Sequence, residues 1–93
     1  MYLARHLPYR GSVNMAQVRV AELFKPAIQR MAPSIILAHN HPSGICDPSP
    51  DDVALTRAVV QAGKLLDIIL QDHLIIGNGS SNWCSLKQRG LGF

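Results

Sequence analysis

Two histidines separated by one residue, His39-Asn40-His41, are the part of this sequence best suited to chemistry. They end a stretch from Ser34 whose Ile35, Ile36, Leu37 and Ala38 read as a strand buried on both faces. On a strand, residues two apart project from the same face, so both imidazoles can serve one ligand. From Pro42 to Pro50 three prolines and a glycine exclude regular structure and make a stiff loop. Ser49, Pro50 and Asp52 then have the form of a capping box: an N-cap, a proline at the first helical position and an acid at the third. A helix starting there turns Asp52 back toward the histidines. Two neutral imidazoles and one carboxylate suit a tetrahedral Zn²⁺ with one position left for water, the form of a catalytic rather than a structural site. With a single anionic ligand the ion stays net positive and acidifies that water.

Each of these residues also has an ordinary reading. The histidines could be buried and satisfied by backbone groups, and Asp52 could simply bond an orphan amide at the helix start, worth about 1 kcal/mol. Cys46 follows His41 closely, and thiolate is a competing zinc ligand in principle. Asp72-His73 reads either as support behind a ligand histidine or as a pair satisfying buried backbone at a strand bend.

The elements that must position these side chains alternate between strand-like and helix-like patterns, which argues α/β or α+β. Tyr2 to Leu7 reads as a strand, followed by a turn at Arg10-Gly11-Ser12. Val20, Leu23, Phe24, Ala27, Ile28 and Met31 recur at helical spacing and predict a helix over 18–31, with Pro26 inside it to kink or shorten it. The helix after Ser49 continues through Leu55, Ala58, Val59, Ala62, Leu65 and Leu66. Ile68-Ile69-Leu70 and Leu74-Ile75-Ile76 predict a strand interrupted or bent near Gln71-Asp72 and closed by Gly77-Asn78-Gly79. Trp83 to Leu86 reads as a short edge strand.

With 93 residues the chain is expected to form one domain, 1–93. Its apolar runs fall far short of the roughly 20 residues of a membrane span, and no signal-peptide pattern opens it, so the cytoplasm is the default location. Cys46 and Cys84 belong to no CxxC pair and read as free thiols. The net charge of +3 is scattered; it permits weak nucleic-acid association but forms no phosphate-tracking stripe.

His39-x-His41, seven intervening residues, Ser49, two more, then Asp52 reproduces the H-x-H-x7-S-x2-D pattern of JAMM metalloproteins. Ile36 to Gly44, Pro48-Ser49, Asp52 to Thr56 and Asp72 to Gly77 resemble the RadC branch in particular, and the resemblance covers most of the chain. It implies an MPN/JAB-type, cytidine-deaminase-like layered fold with a mixed sheet flanked by helices. It also implies one Zn²⁺ on His39, His41 and Asp52, a hydrolase centre of the peptidase or isopeptidase type, and a family name historically tied to DNA repair. Ser49 would stabilise the oxyanion formed when an amide carbonyl is attacked.

Such hydrolysis needs a general base, in JAMM enzymes a glutamate on an N-terminal strand. Here Arg5 and His6 stand near that place, and the N-terminal strand region reads as incomplete. Glu22, the chain's single glutamate, and His6 are the substitutes to weigh. Two functions follow: a zinc-dependent hydrolase, or an inactive metal-binding interaction module that uses an exposed strand edge to bind a protein, a peptide or a second copy.

Overall fold

A computed structural model describes residues 19–77 and 82–93, and the backbone of 2–5. Among the described residues six elements follow one another: β1 (Tyr2–Arg5), α1 (Val20–Gln29), β2 (Ser34–His41), α2 (Pro50–Leu66), β3 (Ile69–Gly77) and β4 (Trp83–Ser85). The strands form one mixed sheet in the order β1-β2-β3-β4. β1, β2 and β3 are parallel, and β4 returns antiparallel along β3. This is the mixed α+β layering expected of the sequence. The turn at 10–12, His6 and the Gly77-Asn78-Gly79 closure lie wholly or partly outside the described residues.

β2 is central, paired to β1 on one side and β3 on the other. Its Ile35 and Leu37 join Leu70 of β3, Leu23, Phe24 and Ala27 of α1, and Val59 of α2 in the buried core. The same strand face continues past this apolar layer to His39 and His41. β3 carries the expected bend as a shift in register: Ile35 stands opposite Leu70, and Ile36 opposite Asp72. Gln71 is thus the extra residue of a bulge, and the bulge allows Leu70 and His73, three apart, both to be buried.

α1 keeps Pro26 inside it and is shorter than the 18–31 of the apolar pattern. Leu23 and Phe24 before the proline and Ala27 after it are all buried, and that burial outweighs the one backbone bond proline forgoes. α2 starts as the capping box predicts. The Ser49 hydroxyl accepts from the Asp52 N–H at 3.1 Å, and the Ser49 N–H donates to Asp52 Oδ2 at 2.7 Å. Its buried face reads Asp52, Thr56, Val59, Gly63, steps of three and four that keep one stripe against the sheet. Gly63 sits where a Cβ would run into the Ile68 carbonyl oxygen, so the chain can turn tightly from α2 into β3 only over glycine.

The cysteines correct the sequence reading. Cys46 and Cys84 form a disulfide with Cα atoms 5.8 Å apart, an ordinary span for such a bond. Neither residue signalled the other, because the pairing depends on the 42–49 loop folding down onto β4. Among the described residues, no helix is long and apolar enough to cross a membrane.

Candidate metal centre

The site lies where β2 ends and α2 begins. His39 and His41 leave one face of the strand, as their spacing requires, with ring centroids 5.1 Å apart. The loop after them turns at Gly44, whose φ of 83° is left-handed and suits glycine, and whose N–H closes a turn onto the His41 carbonyl at 3.1 Å. The chain returns at Ser49, and the first turn of α2 places Asp52, fully buried, against both imidazoles. His39 Nε2 lies 3.2 Å from Asp52 Oδ1, and His41 Nε2 lies 3.2 Å from Asp52 Oδ2.

These short distances are not a satisfied hydrogen-bond network. His39 Nε2 and Asp52 Oδ1 are buried and have no hydrogen-bond partner, although they are near neighbours. His41 is informative as well: its Nδ1 lies 2.9 Å from the Ile45 carbonyl, which can only accept. In the neutral ring the proton is therefore on Nδ1, and the bare Nε2 lone pair faces a carboxylate oxygen. Two lone pairs at that distance repel unless a positive charge stands between them.

The three candidate ligand atoms all lie within 4.8 Å of one another. A zinc tetrahedron with bonds near 2.05 Å has edges of about 3.3 Å, close to both imidazole–carboxylate separations. Orphaned atoms, fixed lone pairs and spacing together show that these residues fit a metal ion. The Asp52 carboxylate is kept ionised for it. Burial works against ionisation, but His39 in its protonated form, together with the N–H and hydroxyl of Ser49, outweighs it and holds the pKa at about 2, below the ordinary 3.8. The start of α2 adds its own positive end.

Ser49 is placed as the helix cap, which uses a lone pair of its oxygen. Cys46, weighed as a competing ligand, is tied up in the disulfide. Glu22 is exposed on α1, and α1 meets α2 near Gly63, where Phe24 packs, eleven residues along the helix from Asp52. Glu22 does not join the centre. Among the described residues, no further His, Cys, Asp or Glu completes the cluster.

Asp72 and His73 divide between the two readings considered for them. Asp72 does satisfy backbone at the bend: its carboxylate accepts from the His73 N–H at 2.7 Å, from the Ser85 hydroxyl at 2.8 and 2.7 Å, and from the Lys87 N–H at 3.3 Å. It holds β4 to β3. His73 instead is buried behind the site, its Nε2 lying 2.9 Å from His39 Nδ1 and its Nδ1 2.6 Å from the Thr56 hydroxyl. Burial first, then the neighbouring His39, lowers its pKa to about 4 from the ordinary 6.5, with Asp52 and Asp72 opposing in part. Thr56 was not singled out from the sequence, although it stands one helical turn after Asp52 and hence on the same face.

The arrangement defines a class of site: a strand-end His-x-His and a helix-start aspartate that together could hold a metal ion, with fewer ligands than a closed structural site. Comparison with known proteins gives the family. Residues 2–91 match the model of the RadC-like JAB domain, and the chain belongs to that family. Over 85 residues it is 56% identical to a UPF0758 protein of Chloroflexus aurantiacus, covering 91% of this chain and 36% of the relative. A UPF0758 protein of Chloroflexus aggregans is 53% identical over 85 residues, with the same shares covered. One from Desulforamulus reducens is 46% identical over 89 residues, covering 96% of this chain and 38% of the relative. The chain thus spans little more than a third of the length of these relatives.

Proposed function

We propose that this chain is a zinc-binding domain whose centre is of the amide-hydrolysing, peptidase or isopeptidase type. The observation that carries the reading is the buried and unpartnered pair His39 Nε2 and Asp52 Oδ1. Orphaned polar atoms at such a place cost about 1–3 kcal/mol each, a cost that a bound cation removes. Two imidazoles and one carboxylate favour zinc over calcium or magnesium, which prefer all-oxygen shells. When bound, zinc supplies a Lewis acid and a water made nucleophilic near neutral pH.

The chain's own residues do the remaining work. His39 and His41 present lone pairs already fixed in direction. Asp52 supplies the single negative charge, so the centre stays electron-withdrawing. Ser49 O–H, at the edge of the centre, would donate to the oxyanion of an attacked carbonyl by turning from the Asp52 carboxylate.

A second reading is favoured by the ligand census. Among the described residues, no carboxylate besides Asp52 stands at the centre, and no other group there is placed to receive a proton from water. On that reading the ion ties β2 to α2, and the domain acts by binding a protein or peptide.

Metal analysis of the purified chain, paired with His39→Ala, tests the zinc centre. Stoichiometric zinc in the wild type and its loss in the variant are expected; a metal-free wild type, or a variant that keeps its metal, rejects it. Amide or isopeptide turnover that requires metal and vanishes in Asp52→Ala supports the hydrolase. A fully zinc-loaded chain with no turnover on such substrates leaves the binding module.

A further inference from the structure

Behind the candidate ligands runs a chain of hydrogen bonds with no contact to solvent. Thr56 Oγ1 donates to the Asp52 carbonyl oxygen at 2.8 Å and lies 2.6 Å from His73 Nδ1; His73 Nε2 lies 2.9 Å from His39 Nδ1. Thr56 is 0% and His73 1% exposed, so water cannot supply a missing donor or acceptor. Every proton in the chain must be accounted for internally.

Thr56 has one hydroxyl proton. When it goes to the Asp52 carbonyl, Thr56 can only accept from His73, and the His73 proton sits on Nδ1. Nε2 of neutral His73 is then an acceptor, so His39 donates from Nδ1 and its Nε2 is bare. When the Thr56 proton goes instead to His73 Nδ1, the link to the Asp52 carbonyl is left without a hydrogen, because a carbonyl only accepts, and the other two links reverse. His73 then donates from Nε2, and the neutral His39 proton moves to Nε2, the atom facing Asp52, where it blocks a metal. For neutral rings only the first assignment gives each link one hydrogen.

We propose that His73 is a positioning residue which, wired through Thr56 to the carbonyl of Asp52, holds His39 in its Nδ1–H tautomer and keeps Nε2 open for the ion. The inference rests on the zinc reading for its purpose, but the wiring itself is independent of it. His41 reaches the same state by a separate device, its bond to the Ile45 carbonyl. The wire begins at the backbone of Asp52, so one ligand residue sets the protonation of another. A ligand histidine oriented through its second nitrogen in this way is commonly bound up with metal affinity.

Two measurements test this. Long-range ¹H–¹⁵N correlation on the metal-free wild-type chain at neutral pH reads tautomers directly; Nδ1–H forms are expected for both His73 and His39, and an Nε2–H form of His73 overturns the proposal. Zinc competition against a chromophoric chelator then compares wild type, His73→Phe and His73→Gln. Phenylalanine fills the space but cannot accept from His39, so affinity should fall about 10- to 100-fold. Glutamine offers an amide oxygen to His39 and an N–H to Thr56 and should bind within a few-fold of wild type. A phenylalanine variant that binds like wild type, or a glutamine variant that falls as far as phenylalanine, overturns it. A wild type with no zinc affinity rejects the proposed function instead, and the tautomer spectrum still decides the wiring.

Discussion

Replacing His73 with glutamine should flatten part of the acid sensitivity of the metal-free chain. Folded His73 titrates at about 4 against an ordinary 6.5, chiefly because it is buried. As pH falls through 6.5 the unfolded chain takes up a proton at this imidazole, while the folded chain stays neutral there until about 4. Between those values the unfolded state holds more protons, so stability decreases with falling pH by about 1.4 kcal/mol per unit. Across the window the loss reaches about 3 kcal/mol; below it both states are protonated and the loss stops growing. That is a sizeable fraction of the roughly 5–15 kcal/mol of a typical domain. Asp52 does not blur the result. Its pKa is depressed to about 2, so its contribution is whole above 3.8 and is lost only below that. Urea unfolding in the presence of a chelator, followed in steps from neutral pH to pH 4 for wild type and His73→Gln, isolates the effect as the difference between the two curves. The difference should be flat above 6.5 and then move by about 3 kcal/mol in favour of glutamine. A difference that stays constant over the whole range would refute the placement of a neutral, buried imidazole behind the site.

Ser49→Ala should cost about 1 kcal/mol in urea unfolding through loss of the cap, whereas Ser49→Thr should restore it; if alanine is neutral, the capping box is not formed in solution. Gly63→Ala forces a Cβ onto the Ile68 carbonyl and should destabilise by about 1–3 kcal/mol, with thermal unfolding as the measure and an unchanged midpoint as the contrary result. The Cys46–Cys84 bond closes a sequence separation of 38. Chain entropy alone predicts that replacing both cysteines by serine lowers stability by roughly 4 kcal/mol, and thiol titration of the unreduced chain should find no free sulfhydryl.

What could be read from the sequence was local. The strand Ser34–His41 and the helix start at Ser49 follow from an apolar run, a proline and a capping box, all signals within a few residues of their effect. The bend at Gln71-Asp72 was legible because a polar pair interrupts two apolar triplets, and it is a bulge in the structure. The ligand group was legible for the same reason: strand period and helix start bring His39, His41 and Asp52 together over a short loop. His73 was beyond that reach. Its contact with His39 depends on the parallel register of β2 and β3, which sets Leu37 opposite His73, and register between distant strands is a property of packing. The Cys46–Cys84 pairing is long-range in the same way. Pro26 lies inside α1, as its place in the apolar stripe implied, and its local penalty is outweighed by burial of the helix face around it.

Asp52 has two tasks with one carboxylate: Oδ2 receives the Ser49 N–H, and the same group faces both imidazoles. Helix ends fray, and a fray here cannot spare the site. Each time the first turn of α2 lets go, the carboxylate leaves the histidines. An ion held there would lose one of its three protein ligands with each such opening, and would in return slow hydrogen exchange at the amides of Ser49 and Asp52.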